Sequence, residues 1–497
     1  LKFMKINKLI LLLFLATGVM SSCSKDDNDE RFPVEPGGDK PGETPNLEIE
    51  NYLYDAMSIY YVYEADVPEL GENYFDSEAD KNEWLASFDS PEDLFNNGLK
   101  VPAPKDRFSF IIDDYTILEN NQAGIQTTTG MDYGLVRFGS NGVLAYVRYV
   151  IPNSPADEAG VTRGTLFTDI DGETMNLDNY QSLLGRDGYE ITVAEINDNI
   201  ISNTDETIAL NRIEITENPV LLSKVVEVDG ISVGYIMYNS FTADFDDELN
   251  AAFGDLKAEG IDELVLDLRY NGGGSVESAV DLSSMITGQF NGEIFSKQSW
   301  NNFLQSQLSE DRLVDRFNDK IRTGEMINSL NLSKVYIIGT ASTASASELV
   351  INGLAPYIEV VHVGSNTVGK FQAAAPLYDS PDWDRQNRNP NHKYVIQPLI
   401  YESVNANEDA YSEEGLIPDI ETEEDITNLI ELGTPVETLL AAALADITGN
   451  RMAIPATSYD SRFTKIGERG ETDVDYQRMY IDEIPEEIRK KAAEFKQ

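Results

Sequence analysis

Three glycine- and serine-rich strings hold the residues best placed to do chemistry. The first, GTASTASASE (residues 339–348), joins a β-like run to a helical pattern. A serine at a helix N-terminus faces backbone N–H groups that lack intrahelical partners, and such groups can stabilise a developing oxyanion. The same spacing, Ser345-x-x-Glu348, also reads as a capping box, in which Ser345 does no more than cap the helix. The second string, LDLRYNGGGS (residues 266–275), reads alone as a flexible strand-to-helix turn, and its glycine spacing does not fit dinucleotide binding. The third, GSNTVGK (residues 364–370), satisfies the G-x-x-x-x-G-K of a phosphate loop. Phe371, however, stands where Ser or Thr must reach Mg²⁺, and Pro376 would break the long helix that must follow. Nucleotide triphosphate chemistry is therefore set aside.

Lys370 gives the first and third strings a joint meaning. They resemble the C-terminal processing peptidases, or tail-specific proteases, in which a T/S-A-S-A-S-E string carries a nucleophilic serine and a Gly-Lys step follows 25 residues later. Ser345 and Gly369-Lys370 reproduce that spacing. The family's DLRxNxGG element is matched from Asp267 to Gly274, and its later Gly-x-x-Pro-Asp by Gly415 to Asp419. The resemblance covers about residues 47–445. It implies Ser345 as nucleophile, Lys370 as general base, and an oxyanion hole from the amides of Ala346 and of Gly273 or Gly274. Ser347 is the rival nucleophile, and motif register alone favours Ser345. The sequence departs from the family at Ala374, where a lysine-orienting Gln is common. Gln372, two residues beyond Lys370 on a strand, would face the same side and is the expected substitute.

That chemistry is self-consistent. A serine hydroxyl needs a base, and only a neutral lysine can be one, so its ordinary pKa of about 10.4 must fall toward 7. Burial in an apolar pocket supplies such a shift, and the flanking Val368 and Phe371 are the expected walls. His362 and His392 are the only imidazoles, which leaves few candidates for a Ser-His-Asp triad. With one Cys and two His, neither a disulfide framework nor a Cys- or His-rich metal site is expected, and no cofactor is implied. The 37 basic against 87 acidic residues give a net charge of −50, which disfavours nucleic acid and anionic surfaces as partners.

The elements that must position these residues give an α/β multidomain protein. Residues 47–118 read as a helical N-terminal domain, with Ile49, Tyr52, Leu53, Ala56, Met57 and Tyr60 on one face of a helix capped by Asn46. Residues 119–222 turn β-rich. The string SPADEAGVTRGTLFTDIDG (residues 154–172) resembles bacterial PDZ domains, and the resemblance assigns Tyr133, Gly134, Leu135 and Val136 to the loop that captures a peptide's terminal carboxylate, the peptide binding by strand addition. Residues 223–448 alternate strands and helices, as an α/β peptidase core requires. Residues 449–497 read as a charged tail ending in a helix.

Residues 1–22 have the charged, apolar, small-residue order of an export signal, and VMSSC resembles a lipoprotein lipobox with Cys23 as the lipidated residue. Residues 23–46, rich in Pro, Gly and acids, read as a disordered tether. The expectation is an outer-membrane lipoprotein that hydrolyses protein substrates reached through exposed C-termini. The alternative is a catalytically inert, peptidase-like binding or scaffolding lipoprotein.

Overall fold

The computed structural model describes residues 46–198, 200–410, 413–450, 462–474 and 476–495. The expected export signal, Cys23 and the expected tether up to residue 45 lie outside the described residues. The N-terminal region opens with helices α1 (Glu48–Tyr60) and α2 (Glu78–Leu85). Helix α1 buries Tyr52, Leu53, Ala56, Met57, Ile59 and Tyr60, the 3.6-residue stripe expected of it. Its N-cap is Leu47, with no side-chain cap bond, so Asn46 does not serve there. Beyond the stripe, Tyr61 OH donates to Asp106 Oδ2 at 2.6 Å, and Asp106 Oδ1 takes the amides of Phe108 and Ser109. These bonds carry the end of the region toward the core.

The β-rich region contains β1 (Met131–Phe138), β2 (Gly142–Val150), β3 (Leu166–Ile170), helix α3 (Tyr180–Leu184), β4 (Gly188–Asn197) and β5 (Ile200–Asn211). Its core gathers Met131, Leu135, Val147, Phe167, Ile170, Leu183, Leu184 and Ile191 under α3.

The α/β core follows as β6 (Val220–Val228), β7 (Ile231–Tyr238), α4 (Asp246–Glu259), β8 (Glu263–Asp267), β9 (Gly274–Ser275), α5 (Val276–Thr287), β10 (Ile294–Trp300) and β11 (Val314–Arg316). It continues as β12 (Lys334–Gly339), α6 (Ala346–Leu354), β13 (Glu359–Gly364), β14 (Gln372–Ala374), β15 (Leu399–Asn405), β16 (Ile420–Glu421) and α7 (Thr438–Ile447). One sheet runs β6-β7-β8-β12-β13-β16, parallel from β7 onward. Its strands are buried apolar runs because helices cover them, α4, α5 and α6 packing with one cluster and α7 with another.

The C-terminal part departs most from expectation. Instead of a charged tail, it supplies β17 (Phe463–Glu468), β18 (Met479–Tyr480) and then helix α8 (Glu486–Phe495). Strand β17 pairs antiparallel with β1, giving the order β17-β1-β2-β3-β4-β5. Strand β18 inserts between β9 and β14, parallel to both, in the order β9-β18-β14-β15-β10-β11. The high density of charge in this segment hid its role, because the residues that pair and pack, Phe463, Met479, Tyr480, Ile484 and Ile488, are few and widely spaced.

Candidate active site

The nucleophile loop is built where β12 ends and α6 begins. Ser345 adopts φ +66° and ψ −115°, a backbone conformation that non-glycine residues hold only when their surroundings enforce it. The enforcement is visible. Ala344 N–H donates to Asn271 O at 3.1 Å, Thr343 Oγ1 to Leu268 O at 2.7 Å, and Ser347 Oγ to Asn271 O at 3.0 Å. Ser347 is thus spent on a structural bond, which leaves Ser345 as the nucleophile candidate.

Lys370 Nζ donates to Ser345 Oγ at 3.2 Å, and both residues are 0% exposed. The amine also donates to Gln372 O at 2.7 Å and to Met479 O at 3.4 Å. Burial pushes the Lys370 pKa well below the ordinary lysine value, and the positive charge of Arg478 adds to the fall, while Glu348 and Asp106 oppose it. The aromatic wall is Phe108, whose ring centroid lies 5.2 Å from Nζ; Val368 and Phe371 are only half-buried. The N-terminal region thus helps to dry the base pocket, a role with no signal in the sequence.

Gln372 works otherwise than expected. Its backbone carbonyl, not its side chain, orients Lys370; the side-chain amide donates instead to Tyr63 OH at 3.0 Å, and Tyr63 OH donates to Glu402. Ala374 is buried in β14 and accepts the Ile481 amide.

Glu348 does more than cap. One carboxylate oxygen takes the Ser345 amide at 2.7 Å and the Lys370 amide at 3.0 Å. The other takes the Gly369 amide at 2.7 Å and the Thr367 hydroxyl. A single buried side chain therefore fixes the nucleophile turn against the base turn. The sequence showed this residue only as half of a capping box.

Of the oxyanion candidates, Ala346 is the first residue of α6, at the end where amides lack intrahelical partners. Gly273 is in use: its amide donates to Asn271 Oδ1 at 2.9 Å. A Cβ there would stand 2.7 Å from Ser345 Cβ and 3.0 Å from Arg478 O, so only glycine fits between nucleophile and C-terminal segment. Gly274 lies in register with Met479. Among the described residues neither imidazole bonds Ser345; His392 lies 3.0 Å from Asp379 and His362 sits beneath Gly339.

The peptide-capture residues are placed differently from expectation. Tyr133, Gly134, Leu135 and Val136 lie within β1, but their outer edge is already taken: Gly134 pairs with Glu468, Leu135 with Gly467 and Val136 with Lys465, while Arg469 N–H donates to Tyr133 O at 2.9 Å. Among the described residues, no cluster of His, Cys, Asp and Glu could hold a metal ion.

Fold and site bring a buried serine and a buried lysine into hydrogen-bond contact on an α/β core. Over residues 232–422 the chain matches the model of peptidase family S41. It is 26% identical over 236 residues to a carboxyl-terminal-processing protease of Picosynechococcus sp., covering 47% of this chain and 52% of that protein. It is 24% identical over 309 residues to the carboxy-terminal processing protease CtpB of Bacillus subtilis, covering 59% and 60%. The chain thus spans between half and two thirds of the length of these curated relatives. A solved structure from Bacteroides fragilis, assigned to the S41 proteases, superposes with a TM-score of 0.63 at 25% identity, over 83% of this chain and 99% of that one. Residues 232–422 thus carry a peptidase family S41 domain, and the curated relatives that the chain resembles are C-terminal processing proteases.

Proposed function

We propose that the protein is a serine endopeptidase acting through Ser345 and Lys370. The observation that carries this reading is the 3.2 Å bond between the two side chains inside a pocket that depresses the lysine pKa. Neutral Lys370 takes the Ser345 proton as Oγ attacks a peptide carbonyl carbon. The oxyanion is met by the Ala346 amide and by the amide of Gly273 or Gly274. Lys370 then gives its proton to the leaving amine, and water, deprotonated by the same lysine, releases the acyl group from Ser345. The departure at Ala374 is offset by the Gln372 carbonyl, which supplies the orientation that a glutamine side chain gives elsewhere in the family.

The β-rich region is read as a PDZ-like domain that takes extended polypeptide along β1, with exposed C-termini as the ligands. Cys23 is read as a lipid anchor that holds the mature chain at the outer membrane. The test of the chemistry is covalent labelling by a fluorophosphonate probe together with hydrolysis of an unstructured protein such as casein. Wild type should label and cleave, and Ser345→Ala should do neither. Cleavage by Ser345→Ala at the wild-type rate would end the proposal, and labelling lost only in Ser347→Ala would move the nucleophile. For the anchor, Cys23→Ala should shift the protein from the membrane to the soluble fraction; an unchanged distribution would argue against lipidation.

A further inference from the structure

Strand β17 lies where a peptide ligand of the β-rich unit is expected. It adds antiparallel to the edge of β1 that faces away from β2, and the pairing runs from Phe463 opposite Phe138 to Glu468 opposite Gly134. Half-buried Ile466 packs against the cluster that holds Met131, Tyr133, Leu135, Leu183 and Leu184, as Tyr180 of α3 also does. An aliphatic side chain between a sheet edge and a helix is how strand-addition grooves take their ligands.

The pairing of β17 has a register shift between Lys465 and Gly467, and Thr464 and Lys465 are exposed, while Phe463 and Glu468 are buried. A cavity of about 370 Å³ opens at the end of the strand, lined by Met131, Tyr133, Leu135, Leu184 and Tyr189 together with polar residues that include Gln126, Arg212, Glu468 and Arg469.

The anchor of the strand is a carboxylate. Buried Glu468 pairs with Arg148 Nη1 at 2.5 Å and accepts from Ser342 Oγ at 2.6 Å. Ser342 lies in the nucleophile loop, three residues before Ser345, and Arg148 stacks over Tyr270 beside the glycine turn at 4.5 Å. After β17 the same segment reaches the catalytic centre, where Arg478 O lies over Gly273 and Met479 O accepts from Lys370.

We propose that Phe463–Glu468 is an internal ligand occupying the peptide groove at rest, that a substrate strand carrying an aliphatic side chain and a carboxylate displaces it, and that its departure uncovers Ser345. The proposal rests on the peptidase reading above and adds who holds the groove before substrate arrives. The carboxylate of the incoming strand takes over Arg148 and Ser342 from Glu468. Displacement also frees Tyr476–Arg478 to lift from the glycine turn, while β18 stays in its sheet. Because the internal strand is tethered, it competes at an effective concentration in the millimolar range. Substrates with the matching pair of features therefore gain the most over other sequences.

The test is a reversible clamp. Arg137 and Thr464 are register partners, both exposed, and neither touches the catalytic centre. The full chain carrying Arg137→Cys and Thr464→Cys, with Cys23→Ser, is compared oxidised and reduced. The probe is a labelled synthetic peptide of residues 462–470, RFTKIGERG, followed by fluorescence anisotropy, and casein hydrolysis is measured in parallel. Oxidation is expected to weaken peptide binding and turnover about tenfold or more, with recovery on reduction. Ile466→Asp, which loosens β17 without a new bond, is expected to raise both severalfold and covers the case in which the clamped protein does not fold. Equal peptide binding in the two redox states, or no binding to reduced, wild-type and Ile466→Asp protein alike, overturns the internal-ligand proposal. Redox-dependent peptide binding without any casein hydrolysis supports the internal ligand and counts against the peptidase reading alone.

Discussion

Lys370 and the two buried arginines, Arg148 and Arg269, are all nearly or wholly removed from solvent, yet burial has opposite outcomes for them. Arg269 faces Asp267 at 2.6 Å, Glu437 at 2.7 Å and Glu424 at 2.8 Å, and Arg148 faces Asp132 and Glu468. Carboxylates on several sides keep both guanidinium groups charged. Lys370 donates to a hydroxyl and to carbonyls, while Glu348, which pulls the other way, spends its oxygens on three amides and a hydroxyl. Desolvation then wins, and the lysine pKa falls. What a buried cation does is thus decided by where the nearest carboxylate oxygens are aimed.

The largest expected effect tests the Lys370 side of that contrast. Lys370→Ala should lower kcat/KM on casein by roughly 10³-fold or more, and Lys370→Arg should not rescue it, because a guanidinium does not give up its proton in a protein. Rescue by arginine would mean that the residue works as a charge rather than as a base. Next comes the arginine side. Arg269→Met leaves Asp267, Glu424 and Glu437 buried without their shared cation and should cost about 3–5 kcal/mol in denaturant unfolding. A loss below about 1 kcal/mol would show the network to be decorative.

A smaller effect sharpens the contrast by titration. Activity should rise with pH as Lys370 loses its proton, with the acid limb of kcat/KM well below the ordinary lysine range. Arg478→Ala removes a positive charge that depresses this pKa, so the limb should move to higher pH, by about one unit or less. A limb that stays in place, or moves down, contradicts the assignment. The smallest effect comes from the acid counterparts of Lys370. Burial pushes Asp246 and Asp281 up to about 7. The folded chain therefore keeps protons that an unfolded carboxyl gives up near about pH 4. Their contribution to stability is full below that pH and is lost as pH rises through about 7. Asp246→Asn should flatten the fall in unfolding free energy between about pH 5 and pH 8, by on the order of 1–2 kcal/mol; an unchanged slope would remove the residue from that role.

Much of the core was legible because it obeys simple periodicities. The alternation expected over residues 223–448 is there, with strands at Ile231–Tyr238 and Lys334–Gly339, and the helix after Ser345 spans Ala346–Leu354. Ser345 and Lys370, which the family resemblance singled out, do meet, because each stands in a short motif on its own turn. What stayed hidden depends on contacts between distant residues. Phe108 reaches Lys370 across 262 positions and Met479 across 109, and no composition or pattern announces either meeting. Gln372 misled for a different reason. Alternation along a strand predicts where its side chain points, but the group that matters is its carbonyl. The C-terminal segment was misread because a β-strand two residues long, such as Met479–Tyr480, leaves no periodicity to detect.

That short strand has a consequence for how the protein comes into being. Met479 and Tyr480 close the gap between β9, which follows the glycine turn, and β14, which follows the base, yet they are synthesised more than a hundred residues after β14. Chains grow from the N-terminus, and earlier parts fold while later ones are still being made. The sheet that holds Lys370 in place therefore stays open throughout most of translation. A nascent chain has Ser345 but not the completed sheet beside Lys370, so on the peptidase reading the making of the last strand doubles as the arming step.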